Sequence, residues 1–589
     1  NDEVGRSGIT ALTNGYYVVN SPYWDNGATA DAGAVSLSDG QMGTTGPVSN
    51  SNSVLGTASS GGSKLVFGYD PARHQLIVGR PDSNLVTLFF GDRLRSLGKS
   101  SQDAHGAADI AFSKPGFTAV NTAGSALTDF ALIGSGAASG KNSALFAFDP
   151  VFGADMVLQS GASLSTLGGG LPFNAVASAL SGQLFQQPQR ALFQTTVKGT
   201  GITTANNRLL LQDNGNGVSL LHRTGSPIAA LGGASLSSFS EVLQSHDQDL
   251  ITVAYKLKSG GGVSAANDEG LLFLNHNGTV SANIAAREGQ AAFGGGGNFG
   301  SFNGRAAAGL GSVIHFTALF KPVGLAAPVP AVFSTTVDGV TTARLAKAGD
   351  THTSSGSASF KSFTAISQQD GNALFKATLN NSPTSQNEGL FRLPAPGLLT
   401  RKGDPIGGGL TISSILRFWP AGFEQVILQV QLTGLGVKSS NNQALLLRQS
   451  GGTYLTLLRT GLPAPGTGPA TLATISAVEV NPVTGLYAVL GTLGGASATS
   501  NQALWTGNPI LALGSPESEQ LPKLSLRKGN TYRTEVTPQG VIRSLALKPA
   551  TDPTGAGGRG LAQALAANGD LAIFITGDRN LTEVVLLDR

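Results

Sequence analysis

Asp25, Asn26 and Asp31 are the first residues of this 589-residue chain whose types and spacing could do chemistry. Their oxygens suit Ca²⁺, which makes calcium the candidate cofactor. A Ca²⁺ site takes about six to eight oxygens, with acids or Asn at alternating positions of a dedicated loop. Gly27 to Ala30 interrupt the set, so the competing reading is a hairpin loop that uses Asp and Asn for turn chemistry. Four arginines form a second constellation. Arg223, Arg287, Arg401 and Arg459 each stand two residues ahead of a glycine, in stretches that resemble one another. If those stretches repeat around a ring, the four cations lie on a circle and could bind acidic glycans. Alternatively, each pairs with a local carboxylate or caps a strand end.

Other constellations point away from catalysis. No two of the seven histidines stand at metal-ligand spacing, and H-E-x-x-H is absent. His315 lies in an apolar strand and His246-Asp247 reads as a turn pair. Gly168–Gly170 and Gly294–Gly297 lack the Gly-Lys-Ser/Thr ending of a phosphate loop and fall where Gly407–Gly409 falls, so they read as inter-strand loops. There is no G-x-S-x-G elbow. A glycosidase-like pair of carboxylates cannot be picked out, because any two acids could meet at the centre of a ring.

The elements that must position these residues repeat. A short apolar strand around Leu-Phe leads through a turn to a second strand that ends in a basic or polar residue and Gly. Examples run from Leu271-Leu272-Phe273 to Arg287, from Leu390-Phe391 to Arg401, and from Leu445-Leu446-Leu447 to Arg459. The terminal glycines are read as Gly98, Gly161, Gly225, Gly289, Gly349, Gly403, Gly461 and Gly514, which lie 53–64 residues apart. Midway between them come a turn and an alternating strand, as in Gln369-Asp370-Gly371-Asn372 before Ala373–Thr378. A polar run such as Ala265-Ala266-Asn267 closes each unit. Four strands per unit of about 60 residues, with no helix-period segment, predict an all-β protein. The expected architecture is a β-propeller of about eight four-stranded antiparallel blades over residues 87–589. A solenoid would use shorter repeats.

Composition agrees with that architecture. There are 81 Gly, no Cys, and 38 Lys and Arg against 35 Asp and Glu. Charged residues make up 12% of the chain, about half the usual share. The basic residues are scattered singly, which argues against a nucleic-acid partner. No apolar stretch is long enough to span a membrane as a helix. A weakly charged surface offers little repulsion to its own copies, so self-association or packing against other surface proteins is expected.

Residues 1–86 form a separate blade-like β segment, with strands around Asn14-Gly15. Its run Leu12-Thr13-Asn14-Gly15-Tyr16-Tyr17-Val18-Val19, followed by Ser21-Pro22-Tyr23-Trp24-Asp25-Asn26-Gly27, resembles a tandem repeat of very long bacterial surface proteins. That repeat is in turn similar to the integrin-type FG-GAP blade, whose loops hold Ca²⁺. Gly389–Pro405 and Arg459–Gly466 resemble a second group, the "GLFR…RxGDPAPG…NDxGxVAF" repeats of bacterial surface proteins. Neither group has an assigned activity, so the resemblance implies an extracellular or cell-surface location and a fold. Asn1–Gly5 looks like the tail of a preceding repeat, and no signal peptide or initiator Met is visible, so the chain is expected to be part of a longer polypeptide. The expected function is a non-enzymatic structural or adhesive module of a surface or filamentous assembly. The alternatives are a glycan- or ligand-binding propeller, and a propeller hydrolase or lyase with acids, His or Tyr converging on the central channel.

Overall fold

The computed structural model describes residues 3–587 apart from 13–15, 40–47, 49–52, 71–74, 91–93, 105–108, 122–124, 139, 150–152, 165–166, 168–174, 185–190, 214–216, 246–249, 276–283, 309–310, 326, 352–355, 395–396, 423, 511–519, 535, 549–554 and 561–562. Strands dominate the described residues, and the helical turns among them are three-residue 3₁₀ segments. The chain divides into two compact units, Asn1–Arg95 and Ser96–Arg589.

The first unit holds a four-stranded meander, Ile9–Ala11, Tyr16–Ser21, Ala34–Asp39 and Ser53–Leu55. A three-stranded sheet of Val66–Asp70, Gln75–Arg80 and Leu85–Phe90 follows it. Their shared core is Val18, Val35, Val54, Leu65, Leu76 and Val78. Because Leu85–Phe90 pairs inside this unit, the boundary falls later than the expected 86/87.

The second unit contains eight sheets in sequence order, with one short hairpin between the seventh and eighth. Leaving aside the short leading strands Pro227–Ile228 and Pro405–Gly407 of the third and sixth sheets, their first strands are β1 (Ala111–Val120), β2 (Ala175–Leu184), β3 (Ala234–Gln244), β4 (Gly297–Ala308), β5 (Ser359–Gln369), β6 (Leu410–Pro420), β7 (Thr471–Val480) and β8 (Ser544–Ala546). Seven sheets are built from consecutive strands. The eighth joins β8, Leu571–Thr576 and Thr582–Leu587 to Leu94–Lys99, so both ends of the repeat region share one sheet.

Hydrophobic clusters follow the same order. Each combines apolar faces of neighbouring sheets: Leu145 with Phe193 (sheets 1 and 2), Leu210 with Ile251 (2 and 3), and Phe273 with Phe316 (3 and 4). The series continues with Val332 and Phe375 (4 and 5), Leu390 and Leu428 (5 and 6), and Trp419 and Trp505 (6 and 7). Phe112, Phe130 and Phe146 of sheet 1 pack with Phe574 and Val584 of sheet 8. The last contact closes a ring, and the fold is an eight-bladed β-propeller. Radial repetition leaves each blade only short, protected edges, which is the physical advantage of this architecture.

The turn between blades is uniform. The amide of Gly225 donates to Leu236 O, Gly289 to Phe299 O, Gly349 to Phe360 O, Gly403 to Ile412 O and Gly461 to Leu472 O, all within 2.7–2.9 Å. Each of these glycines has a positive φ of 77–94°, a region that costs a side-chain-bearing residue about 1 kcal/mol or more. Two expected members of the series differ. Gly98 lies inside the strand Leu94–Lys99, and the turn position belongs to Ser101, whose φ is 69° and whose amide donates to Phe112 O at 2.7 Å. Gly514 lies outside the described residues. The seventh blade turns at Gly529, whose amide donates to Ile542 O at 2.8 Å.

Candidate functional site

The N-terminal constellation closes its own loop. The Asp31 amide donates to Asp25 Oδ1 at 2.8 Å, Asn26 and Thr29 exchange backbone bonds, and Asn26 Nδ2 donates to Gly56 O at 2.9 Å. Asp31 itself takes a positive φ of 51°. These contacts tie the Asp25 and Asn26 side chains to main chain of this loop and of Gly56. No group of three or more Asp, Glu or His side chains suited to a metal occurs among the described residues. A shallow cleft nearby, lined by Arg80, Pro81, Asp82 and Ser83 with Gly56–Ala58, encloses about 10 Å³, room for about one water molecule. Ligand sites usually measure about 300–1,000 Å³.

The four arginines occupy equivalent places on the last strands of blades 2, 3, 5 and 6, and each clasps a loop of its own blade. Arg223 Nε donates to Asn206 O (2.7 Å), Arg287 to Asn267 O (2.9 Å), Arg401 to Gln386 O (2.7 Å) and Arg459 to Asn441 O (3.0 Å). Arg527 repeats the contact in blade 7 with Ser500 O (3.1 Å). In three blades the clasped residue is an Asn that folds its loop by itself. Asn206, Asn267 and Asn441 each accept the amide three residues back through Oδ1 and donate Nδ2 to a Gly carbonyl five residues back. The repeated polar run and the repeated arginine are therefore the two halves of one lock.

The centre of the ring holds an arrangement that the sequence did not signal. Residues 555–560 and 563–566, between β8 and the next strand of its sheet, meet the ends of the first strands of the other blades. Gly555 O accepts from Phe418 N (2.9 Å), and Gly557 N donates back to Phe418 O (2.9 Å), both on β6. Ser367 Oγ of β5 donates to Gly557 O at 2.7 Å. Ala308 N of β4 donates to Arg559 O (3.0 Å), and Arg559 Nη1 donates to Glu241 of β3 and to Ala306 O. Val120 N of β1 donates to Gln563 O (2.8 Å), and Asn481 Nδ2, one residue past β7, donates to Leu565 O (3.2 Å). The segment thus visits blades 6, 5, 4, 3, 1 and 7 in that order before entering the eighth. It is an internal hoop. The first strands supply a polar collar to it, and polar residues at or just past their ends are buried: Gln244, Ser367, Gln368, Gln369, Glu479 and Asn481.

Glu479 is the chemically unusual member of the collar. It is 5% exposed, and Oε2 has no hydrogen-bond partner. Burial pushes its carboxyl up to about 8, against the smaller opposing effect of the Ala564 amide in the hoop. His315, 2% exposed, contacts Gly371 O through Nε2 at 3.1 Å while Nδ1 is unpartnered. Burial holds it down at about 4. His222 is likewise held at about 4 by burial. Both rings are therefore neutral at pH 7.

A further set of residues joins neighbouring blades. The first strands carry paired bulges, for example between Ile412 and Ser414 and between Ile415 and Arg417. The residue that opens the third strand of the preceding blade reaches the bulge. Glu388 Oε1 accepts from Ile415 N (2.7 Å), Glu269 Oε2 from Phe302 N (3.0 Å), and Gln502 exchanges two bonds with the backbone of Leu545. A bulge leaves backbone groups outside the ladder, and these side chains satisfy them. Trp419 and Trp505, far apart in sequence, meet in one buried cluster, so neither offers an exposed stacking face.

Comparison with known proteins adds family but no activity. Residues 11–62 match a repeat of unknown function, DUF5650. Residues 81–326 and 309–511 match a family of unknown function, DUF7453. No curated protein matches the chain. Among solved structures, the β-propeller domain of the Trilobed protease from Pyrococcus furiosus is similar at 11% identity and a TM-score of 0.30, covering 68% of this chain and 94% of that one. An ancestral GH74 enzyme is similar at 10% identity and a TM-score of 0.26, covering 98% and 86%. The Penicillium chrysogenum α-L-arabinanase complexed with arabinobiose is similar at 11% and 0.25, covering 59% and 93%.

Proposed function

We propose that this chain, which belongs to the DUF7453 family of unknown function, is a non-enzymatic extracellular structural or adhesive module that packs against copies of itself or other surface proteins. The observation that carries the reading is the hoop. It occupies the ends of the first strands at the centre of the ring, and it ties the polar groups there to main chain. Catalytic acids and bases have to reach a substrate, whereas Glu241 and Arg559 answer each other and Glu479 is sealed. The clasps and inter-blade bonds likewise use polar side chains to hold loops and bulges. The sparse charge of the chain supports close packing beside other protein. Electron microscopy and sedimentation of the purified chain over a wide concentration range test this reading. Filaments, lattices or larger oligomers are expected, with contacts above about 1,000 Å². A single monomeric species at every concentration counts against it.

One observation favours a second reading, binding of acidic glycans. In Arg223, Arg287 and Arg459 the clasp engages Nε, which leaves the terminal guanidinium nitrogens available at three repeat-equivalent places. Binding to sulfated or uronic-acid polysaccharides, lost at raised salt and in the triple Arg→Gln variant, supports it. Equal retention by neutral and acidic glycans refutes it.

A further inference from the structure

The strands of each blade run up and down, so the turns from first to second and from third to fourth strand lie at one end of the ring. The turns from second to third strand, and those from blade to blade, lie at the other end. Charge divides between the two. The five clasping arginines each end a fourth strand and so stand at the blade-to-blade end. Lys141, Lys198, Lys258, Lys321, Lys402 and Lys438, one from each of blades 1 to 6, lie in or beside the turns of that same end. Basic residues that stand singly along the sequence are thus collected on one face. Several carboxylates there are already engaged by other cations: Asp268 and Glu269 by Lys256, Asp350 by Lys347, and Asp578 by Arg543. The whole chain is only +3, so the excess on this face is balanced by net acid elsewhere in the molecule.

The opposite end supplies carboxylates. Asp155, Asp213, Asp338, Asp370 and Glu424 stand there, one from each of blades 1, 2, 4, 5 and 6, and all but Asp213 are exposed. Three basic residues at this end are engaged. Arg392 pairs with Glu424, Arg448 Nε donates to Leu399 O at 2.7 Å, and Lys548 Nζ donates to Gly116 O at 2.6 Å. Lys523 and Arg95 offset part of the remaining acid. Apolar side chains accompany the charges. Val323 and Leu325 of blade 4 and Leu435 of blade 6 are exposed on the basic face, and Val340 is exposed beside Asp338 at the acidic end. A polyanion has no use for such side chains, whereas a contact between proteins buries them.

We propose that copies of this chain stack head to tail, the basic face of one ring seated on the acidic end of the next. The proposal rests on the reading that the chain packs against itself, and adds which surfaces meet. Complementary potentials bring unlike ends together, and like ends repel. A contact between two different faces is heterologous: each added copy leaves one basic and one acidic end uncovered, so the stack grows as an open filament.

Sedimentation of the intact chain in sodium chloride tests the stack without any variant. From about 0.1 M to 1 M salt the screening length falls from about 10 Å to about 3 Å, and association should weaken at least about tenfold. Two charge-reversed chains then identify the faces. One carries Lys198→Glu, Lys258→Glu and Lys438→Glu on the basic face, and the other carries Asp155→Lys, Asp338→Lys and Asp370→Lys at the acidic end. Each alone should associate at least about tenfold more weakly than wild type, because its two ends now resemble each other. An equimolar mixture should recover assembly, since each altered face then meets its opposite. Assembly that ignores salt, or that both reversed chains retain, overturns the stack and leaves the packing reading standing. A wild-type chain that is monomeric at every concentration overturns both. So does a monomer that binds an acidic polysaccharide through the basic face and loses it in the lysine variant.

Discussion

Gly557→Ala is the most direct perturbation of the hoop. A Cβ on Gly557 would lie 1.9 Å from Trp419 Cδ1 and 2.3 Å from Nε1. The indole cannot swing away, because Trp419 is 2% exposed within the cluster that holds Trp505, Tyr487 and Val480. The hoop must rise instead, at the expense of three bonds: Phe418 N to Gly555 O, Gly557 N to Phe418 O, and Ser367 Oγ to Gly557 O. At about 1 kcal/mol net for each, the loss is about 3 kcal/mol. Overpacking of a tight site costs about 1–3 kcal/mol, which agrees. Size decides the assay. At about 2 cal/mol/K per residue, a unit of this length unfolding as one body has an entropy near 1 kcal/mol/K, so its Tm would move by only about 3 °C. Local opening is more sensitive: 2–3 kcal/mol is about 30- to 150-fold in exchange at the Phe418 and Gly557 amides. Gly451→Ala is the control, since its Cβ would meet nothing within 4 Å. Exchange within threefold of wild type in Gly557→Ala, or an equal change in Gly451→Ala, refutes the account of the hoop.

Buried ionisable groups predict the pH dependence of stability. Glu479 has a raised folded-state pKa, so its contribution is complete below the ordinary 4.5 and is lost as pH rises through about 8; at about 1.4 kcal/mol per pH unit the interval amounts to about 5 kcal/mol. Urea unfolding should show that decline in wild type and its absence in Glu479→Gln. His315 acts in the opposite direction: its lowered pKa makes stability fall as pH drops from 6.5 through about 4, by about 3 kcal/mol. His315→Gln, which keeps a donor for Gly371 O, should flatten that acid limb in the same titration. Glu388→Ala removes the acceptor of Ile415 N and should cost about 1–3 kcal/mol, read as faster exchange at that amide with blades 1 to 3 unaffected. Arg287→Leu should loosen the Asn267 loop by about 1 kcal/mol, visible as proteolytic nicking between Gly260 and Asn267.

Much of the fold was legible because its punctuation is chemical. Asp370-Gly371 and the glycines at 225, 289, 349, 403 and 461 demand turns, and alternating runs such as Leu250–Tyr255 demand strands. The errors came where another residue met the same demand. Ser101 adopts the positive φ in place of a glycine, and the inserted hairpin of Thr531–Thr534 and Thr537–Val541 follows a turn at Gly529 that Gly514 had concealed. The arginines were visible as a series, but their partner was a carbonyl, which carries no sequence signal. The hoop was illegible for the same reason. It is built largely of main-chain contacts from Gly and Ala to strands up to about 440 residues away in sequence, and only Trp419, Glu241 and Glu479 mark where it lies.

The eighth sheet also fixes how the molecule would bear tension. The N-terminal unit is continuous with Leu94–Lys99, and the repeat region ends in Thr582–Leu587, the strand beside it. Ser100 N and Oγ both donate to Thr582 O at this seam, at 2.8 and 3.0 Å. A pull applied between the two ends therefore runs through a single pair of neighbouring strands and bypasses the other seven blades. Parting that seam would take Leu94–Lys99 out of the eighth blade and open the ring, with the strands of the other seven sheets still paired.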